Sequence, residues 1–212
     1  MITRGPQVEA FEQAVADYCG ARYGVAFNSG SSALAGAYAA AQLSPQDWVV
    51  STPNTFVGAV AAGVKGGARL VLVDIDPETG NGDVDAMGEA LNVQSSRGRP
   101  IGVPVHFAGV PVDMEQLSVR ITNPDAVIIE DAAHALGSCY ADGQKVGCCA
   151  WSDMTVFSFN PAKIITTGEG GMVMSNSAEL AERLRRYRNN GIAYAPEQLE
   201  GEAAPWYYEV QE

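Results

Sequence analysis

The chain combines a fold signal and a chemical signal in one stretch, Phe157-Ser158-Phe159-Asn160-Pro161-Ala162-Lys163-Ile164-Ile165-Thr166-Thr167-Gly168-Glu169-Gly170-Gly171. An apolar strand precedes Lys163, and a glycine-rich turn and a second strand follow it. The loop between these strands is too short for a helical crossover, so we expect at least one of them to be antiparallel. The chain has only three lysines, Lys65, Lys145 and Lys163. Lys163, in this loop, is the leading candidate for a nucleophile that forms a Schiff base.

Short apolar segments alternate with helical segments along the rest of the chain. The predicted strands are Tyr23–Phe27, Trp48–Ser51, Arg69–Val73, Ile101–Val105, Ala126–Glu130, Met154–Phe159 and Gly171–Met174. The predicted helices between them are Ser32–Leu43, Phe56–Lys65, Val84–Leu91 and Asp113–Val119. Such alternation is typical of a parallel sheet that is covered on both faces. The sequence therefore predicts an α/β fold with a mixed, mostly parallel, seven-stranded sheet flanked by helices.

One further helix is predicted near each end of the chain. The first has apolar residues at helical spacing from Val8 to Tyr18, with Gly20 as a left-handed cap. The last begins near Asn176 or Ser177, where Asn176 and Glu179 could form a capping box. It ends in the cluster Arg183, Arg185, Arg186 and Arg188. This cluster is either a solvated face favoured by the helix dipole or an anion site.

Composition argues against two classes of partner. The formal net charge of -12 disfavours nucleic acid, because binding to phosphate backbones requires a basic surface. The longest apolar runs, such as Ala126–Ile129, are too short to cross a bilayer, and no charged-then-apolar leader opens the sequence. We therefore expect a cytoplasmic protein that binds neither nucleic acid nor membranes.

The cysteines and histidines do not form a metal-binding pattern. Cys19, Cys139, Cys148 and Cys149 lack the paired spacing of zinc or redox motifs. Only two histidines occur in the sequence. We expect reduced thiols and no metal centre.

Two predicted strand ends carry polar groups that suit a phosphorylated ligand. Asn28-Ser29-Gly30-Ser31-Ser32 joins a strand to a helix, so it is either a phosphate cradle or an ordinary serine N-cap. Ser158 precedes Lys163 by five residues and could place a further hydroxyl on the same phosphate.

A third strand end carries an aromatic residue. Thr52-Pro53-Asn54-Thr55-Phe56 also joins a strand to a helix, and Phe56 either packs in the core or covers a flat cofactor.

A fourth strand end carries the acidic segment Glu130-Asp131-Ala132-Ala133-His134. Open α/β sheets bind their ligands at this edge. A partly desolvated carboxylate here is most stable beside a cation, such as a protonated pyridine nitrogen. In the other interpretation, Asp131 caps a helix and His134 is a satisfied, half-buried histidine. The local sequence leaves both interpretations open.

Six segments, taken in order and spacing, resemble the DegT/DnrJ/EryC1/StrS family of sugar aminotransferases. They are Asn28 to Leu34, Thr52 to Phe56, Val73 to Asp76, Pro104 to Gly109, Ile129 to Ala135 and the lysine stretch. Three features are most similar to the C4-transaminases of UDP-4-keto-6-deoxy-amino-sugars, namely His106-Phe107-Ala108-Gly109, Ile165-Thr166-Thr167-Gly168-Glu169-Gly170-Gly171 and Trp206-Tyr207-Tyr208. Members of this family depend on pyridoxal 5'-phosphate (PLP) and have the type I aspartate-aminotransferase fold.

The resemblance implies a role for each candidate residue. Lys163 would be the catalytic lysine that binds PLP covalently and later moves a proton. Asp131 would pair with the pyridinium nitrogen, and His134 and Phe56 would flank the ring. Ser31, Ser32 and Ser158 would hold the phosphate. A histidine replaces this lysine in related sugar dehydratases, so Lys163 favours amino transfer from glutamate to a nucleotide-linked 4-keto-6-deoxy sugar.

The resemblance also bears on domain organisation. Family members are longer, so residues 1–212 are expected to be the PLP-binding large domain, with 192–212 an irregular tail leading towards a missing small domain. A homodimer is expected from the family. The alternative is a non-catalytic, truncated or split fragment that needs a second polypeptide for activity. A simple nucleotide-binding domain is a third possibility, although no Gly-x-Gly-x-x-Gly fingerprint follows the first strand.

Overall fold

A computed structural model describes residues 5–93, 98–193 and 209–210. The described part contains one seven-stranded sheet, in the order β1-β7-β6-β5-β4-β2-β3. Its strands are β1 (Tyr23–Phe27), β2 (Trp48–Ser51), β3 (Arg69–Leu72), β4 (Pro100–Gly102), β5 (Val127–Asp131), β6 (Met154–Ser158) and β7 (Gly171–Ser175). Strand β7 is antiparallel to β1 and β6, and the other neighbouring pairs are parallel. The predicted α/β class and the antiparallel strand beside the lysine loop are confirmed.

Six α-helices accompany the sheet in the described residues. They are α1 (Pro6–Cys19), α2 (Gly30–Ala40), α3 (Gly58–Lys65), α4 (Val84–Leu91), α5 (Met114–Arg120) and α6 (Ala178–Arg188). Helix α1 is capped by Gly20, which has the left-handed φ of 80° expected of a glycine cap. Phe107–Gly109 forms a short 3₁₀ turn, and β8 (Ile192–Ala193) pairs with β9 (Glu209–Val210). No helix in the described ranges is long and apolar enough to cross a membrane.

The core consists of two apolar clusters. One includes residues of α1, α4 and α5, and the other includes residues of α2, α3 and α6. Both clusters also include strand side chains, as expected for a sheet covered on both faces. Strand β7 is buried along its whole length, from Gly171 to Ser175. This burial anchors the strand that follows the lysine loop.

Several predicted boundaries differ from the observed ones. Strand β4 ends at Gly102 instead of Val105. Pro104 has no N–H, and only an isolated bridge joins Val105 to Asp131 beyond it. Strand β5 extends one residue further than predicted and includes Asp131. Asp131 is therefore fixed by sheet hydrogen bonds, which a loop residue would lack.

The predicted capping box at α6 is wrong. Ser177 is the N-cap, and its side chain accepts a hydrogen bond from the Leu180 N–H. Asn176 instead accepts from the Arg22 N–H at 2.9 Å and donates to the Cys148 carbonyl at 2.8 Å. Its side chain therefore joins separate parts of the chain.

The arginine cluster of α6 is engaged in several contacts. Arg183 and Arg186 pair with Glu179 and Glu182 one turn earlier. Arg185 lies over the ring of Tyr23, at 5.9 Å from its centroid. A third ion pair joins Arg188 to Glu12 of α1. These contacts favour a structural role over an anion site. Arg188 does not belong to a solvated face, because its side chain is only 18% exposed.

The C-terminal predictions lie mostly beyond the described residues. Trp206-Tyr207-Tyr208, one of the features behind the resemblance, lies outside them. So does most of the predicted irregular tail, of which the described part shows only β8 and β9. The division of the chain into a large domain and a missing small domain stays a prediction.

Candidate active site

The candidate residues meet at one edge of the sheet. Strands β1, β2, β5 and β6 run in the same direction, so their carboxyl ends share this edge. Asn28, Thr52, Asp131 and Ser158 lie at or just after these strand ends. The loop between β6 and β7 adds Lys163. Segments that are far apart in the sequence therefore contribute to one site, as expected for an open α/β sheet.

Lys163 forms the central contact of the site. Its Nζ lies 2.8 Å from Nε2 of His134, the exposed histidine after β5. The Lys163 N–H donates to the Asn160 carbonyl at 2.9 Å, and the Asn160 side chain donates to Glu169 at 2.9 Å across the loop. Lys163 is thus held by a defined turn and has a basic nitrogen beside its amine.

Asp131 is a buried carboxylate with few partners. It is only 5% exposed. Its Oδ1 accepts from the Ala133 N–H at 3.1 Å, and its side chain makes no other hydrogen bond with the described residues. Burial raises the pKa of the Asp131 carboxyl above its ordinary value, although the Ala133 hydrogen bond, the largest opposing contribution, partly offsets that rise. A cation placed against Asp131 would relieve this desolvation.

The structural alternative for the acidic segment does not hold. Asp131 ends a strand and a turn follows it, so it caps no helix. His134 is exposed and contacts Lys163 instead of being half-buried and satisfied elsewhere.

The start of α2 lies directly against β6 and β7. A Cβ added to Gly30 would lie 2.9 Å from Cβ and 3.0 Å from Oγ of Ser158. A Cβ added to Gly171 would lie 2.2 Å from the Ser29 carbonyl oxygen. Because both glycines lack a side chain, the free N–H groups at the start of α2 lie beside the Ser158 hydroxyl. This is the arrangement that binds phosphate at a helix N-terminus.

The predicted phosphate ligands differ in their present contacts. Ser31 is exposed, and neither Ser31 nor Ser158 uses its hydroxyl in a hydrogen bond with the described residues. Ser32 forms a capping box with Ser29, and its hydroxyl donates to the Asn28 side chain at 2.5 Å. The segment is therefore an N-cap, and the hydroxyls of Ser31 and Ser158 beside it stay available to a ligand. Ser32 would have to leave its capping contacts to bind a ligand through its hydroxyl.

Phe56 does not pack in the core. Its ring is 72% exposed. A Cβ added to Gly58 would lie 2.8 Å from the ring, so the ring rests against the start of α3. Of the two interpretations of Phe56, the structure favours a side chain that is available to cover a flat ligand.

A buried network that the sequence did not reveal lies behind this edge. Glu130 is 1% exposed and accepts hydrogen bonds from four side chains, His106, Tyr140, Ser152 and Thr155. Burial alone would raise the pKa of Glu130, but hydrogen bonds from His106, Ser152 and Tyr140 lower it below the ordinary value. The sequence contains one signal of this network, namely two consecutive acids after an apolar run. Neighbouring strand residues face opposite sides of a sheet, so the two carboxylates must lie in different surroundings.

The remaining predictions concern sulfur and metals. All four cysteines are free, and burial raises the pKa of Cys19 to about 11. Within residues 5–93, 98–193 and 209–210, no group of three or more histidine, cysteine, aspartate or glutamate side chains could hold a metal ion.

Comparison with known proteins identifies one family. The sequence profile of the DegT/DnrJ/EryC1/StrS aminotransferase family matches residues 1–206. The UDP-4-amino-4,6-dideoxy-N-acetyl-beta-L-altrosamine transaminase of Campylobacter jejuni is 38% identical over 192 residues, which cover 91% of this chain and 50% of that protein. The chain spans about half the length of the curated relatives that it matches.

Solved structures show the same relationship. PseC of Helicobacter pylori, an aminotransferase involved in the biosynthesis of pseudoaminic acid, has a TM-score of 0.83 and 28% identity. The match covers 99% of this chain and 53% of PseC. The PLP form of the putative sugar aminotransferase Spr1654 of Streptococcus pneumoniae has a TM-score of 0.82 and 26% identity, covering 99% of this chain and 54% of Spr1654.

Proposed function

The chain belongs to the DegT/DnrJ/EryC1/StrS aminotransferase family, and from this premise we propose that it is the cofactor-binding part of a PLP-dependent sugar aminotransferase. The reaction would move an amino group from glutamate to a nucleotide-linked 4-keto-6-deoxy sugar. The relative from Campylobacter jejuni, whose name describes a UDP-linked amino-sugar transaminase, supports this substrate class. A homodimer and a cytoplasmic location are part of the same proposal.

The observation that carries the proposal is the set of three complementary groups at one sheet edge. Lys163 supplies an amine, Asp131 supplies a buried carboxylate with one hydrogen bond, and the start of α2 supplies free N–H groups beside Ser158. PLP has an aldehyde, a pyridine nitrogen and a phosphate, which match these groups one to one. The residues present therefore fit the cofactor.

Each residue has a defined task in this proposal. Lys163 would bind PLP covalently and, once released, would move a proton at the amine-bearing carbon. Asp131 would keep the pyridine nitrogen protonated. His134 and Phe56 would flank the ring, while Ser31, Ser32 and Ser158 would hold the phosphate. When bound, PLP supplies an electron sink that stabilises negative charge on that carbon.

His134 also has a task before the cofactor is bound. Its Nε2 lies 2.8 Å from the Lys163 amine, within hydrogen-bonding distance. This contact would hold the Lys163 side chain in place before the aldehyde of the cofactor arrives. The same histidine is therefore available first to position the amine and then as a ring neighbour.

Borohydride reduction after PLP addition, followed by peptide mass analysis, tests the proposal. We expect the reduced cofactor on Lys163, and we expect the Lys163→Ala variant to lose it. The control is a Lys65→Arg, Lys145→Arg double variant, which should retain full labelling. Label absent from Lys163, or found mainly on Lys65 or Lys145, would reject the assignment.

The second candidate function is a split or non-catalytic polypeptide that needs a second polypeptide for activity; the chain spans about half the length of these relatives. The two candidates differ in whether the chain turns over substrate alone. Glutamate and a nucleotide-linked 4-keto-6-deoxy sugar are added to the PLP-loaded chain, and formation of 2-oxoglutarate is measured. Turnover rejects the fragment hypothesis. Turnover only after addition of a separately produced C-terminal half supports it.

A further inference from the structure

The buried Glu130 network contains a histidine with a single defined tautomer. Val112 donates its N–H to Nδ1 of His106 at 3.0 Å. Nδ1 is therefore an acceptor, and the ring proton is on Nε2, which donates to Oε2 of Glu130 at 2.8 Å. In this arrangement His106 donates to Glu130 through Nε2 and accepts through Nδ1. The two side chains thus form one buried hydrogen-bonded pair.

His106 is connected directly to the backbone of Asp131. Its N–H donates to the Asp131 carbonyl at 3.0 Å, and the Asp131 N–H donates to the Pro104 carbonyl at 2.9 Å. The segment that carries His106 therefore holds both backbone polar groups of Asp131. The ring of His106, at the end of that segment, is hydrogen-bonded to Glu130, and both side chains are buried.

We propose that Glu130 and His106 are positioning residues that set the orientation of the Asp131 carboxylate toward the pyridine nitrogen of the cofactor. This inference rests on the proposed function. Glu130 and Asp131 face opposite sides of β5, so Glu130 acts on the site through the His106 segment and makes no contact with the cofactor. A carboxylate displaced by even about 1 Å stabilises a protonated ring much less, which gives the network a functional consequence.

The neighbouring ionisable groups define what the test must control. Tyr140, Cys148 and Cys149 lie near Glu130, and burial raises the pKa of all three, so they are neutral near pH 7. His106, His134, Lys163 and Tyr38 lie near Asp131, and burial raises the pKa of Tyr38. Covalent attachment at Lys163 must therefore be verified in every variant, so that the charge of its amine is the same throughout.

The experiment is a pH titration of the pyridine nitrogen by NMR, with ¹⁵N-labelled PLP bound to the whole chain. Wild type, Glu130→Gln, His106→Gln and Glu12→Gln are compared, and borohydride trapping verifies attachment in each. We expect the Glu130→Gln and His106→Gln midpoints to fall by about one pH unit or more, because a misplaced carboxylate stabilises the pyridinium less. Glu130→Asp should recover part of the shift.

Glu12→Gln is the matched control. Glu12 is also a buried acid, paired with Arg188 and the Ala26 N–H, but it joins α1, β1 and α6. We expect it to lower stability and leave the ring midpoint unchanged. A Glu130→Gln variant that is folded and loaded, with the wild-type midpoint, would overturn the inference.

A second measurement does not depend on any variant. ¹⁵N spectra of histidine in the wild-type chain should show His106 with an unprotonated Nδ1 and a protonated Nε2. A doubly protonated ring near pH 7, or a proton on Nδ1, would overturn the inference even if Glu130→Gln does not fold. Failure of the wild-type chain to bind PLP at Lys163 rejects the proposed function instead, so the two failures are distinguishable.

Discussion

Glu130 and Asp131 are adjacent, both are at least 95% buried, and yet their environments differ in nearly every respect. Glu130 accepts four side-chain hydrogen bonds, whereas Asp131 accepts one backbone hydrogen bond. The pKa of Glu130 is lowered and that of Asp131 is raised, although burial acts on both in the same direction. The direction of a carboxyl pKa shift is therefore determined by the hydrogen-bond donors around the group and not by burial alone.

The difference separates a supporting side of β5 from a reactive side. On the supporting side every oxygen of Glu130 has a partner, as buried ionised groups require. On the reactive side the groups are incompletely paired or exposed, as Asp131 and Phe56 show. Incomplete pairing costs stability in the absence of a ligand, and it would make binding energy available to a ligand that brings a cation and an aromatic ring, as the proposed cofactor does.

The largest predicted effect compares two alanine substitutions. Glu130→Ala should lower the free energy of unfolding by about 3–5 kcal/mol, because it leaves His106, Tyr140 and Thr155 as buried donors without an acceptor. Asp131→Ala should change it by only about 1 kcal/mol, because the lost hydrogen bond is offset by removal of a desolvated charge. Urea denaturation of the cofactor-free variants measures both. Equal losses would break the distinction between the two sides of β5.

The second prediction concerns pH. The lowered pKa of Glu130 means that its contribution to stability is present above the unfolded-state pKa and is lost as the pH falls through the folded-state value. The raised pKa of Asp131 has the opposite sign, so stability falls as the pH rises from the unfolded-state pKa to the folded-state value. Each proton contributes a slope of at most about 1.4 kcal/mol per pH unit.

Urea denaturation from about pH 2 to pH 8 separates the two carboxylates. We expect Glu130→Gln to flatten the acidic end of the stability profile, and Asp131→Asn to flatten the part above the unfolded-state pKa of aspartate. If Glu130→Gln instead removed the fall in stability above the unfolded-state pKa of aspartate, or if Asp131→Asn removed the loss of stability at the acidic end, the two assignments would be contradicted.

The smallest predicted change in stability is on the reactive side. Phe56→Ala should alter the free energy of unfolding by no more than about 0.5 kcal/mol, because the ring is 72% exposed. The same variant should bind PLP several-fold more weakly, because a ring neighbour is lost. Denaturation and absorbance titration with PLP measure the two effects. Loss of stability without loss of PLP affinity would place Phe56 on the supporting side.

The sequence predicted the fold well because its signals are local. Trp48–Ser51 and Val84–Leu91 were predicted to the residue, since apolar periodicity and flanking polar residues are read within a short window. Strand β4 was predicted too long because Pro104 removes a donor that the apolar pattern does not register. The cap of α6 was misplaced by one residue because Asn176 has long-range partners instead.

The site was predicted only in part, and the reason is similar. Lys163, Asp131, His134 and Ser158 could be proposed because each lies at or after a recognisable strand end. The Glu130 network could not, because its donors lie at positions 106, 140, 152 and 155 and meet only in three dimensions. The capping contacts of Ser32 were likewise hidden, since a serine at a helix start serves equally well as a cap or a ligand.

The position of β1 at the edge of the sheet also governs the order in which the site can be assembled. In the described part of the chain, the only strand that pairs with β1 is β7, and the registers join Tyr23 to Ser175 and Phe27 to Gly171. The proposed phosphate-binding segment follows β1 directly and packs against Gly171, the first residue of β7. During synthesis, β1 emerges from the ribosome long before its partner strand. A chain released before Gly171 would contain Lys163 and Asp131 but would lack the wall against which Ser29 and Gly30 pack.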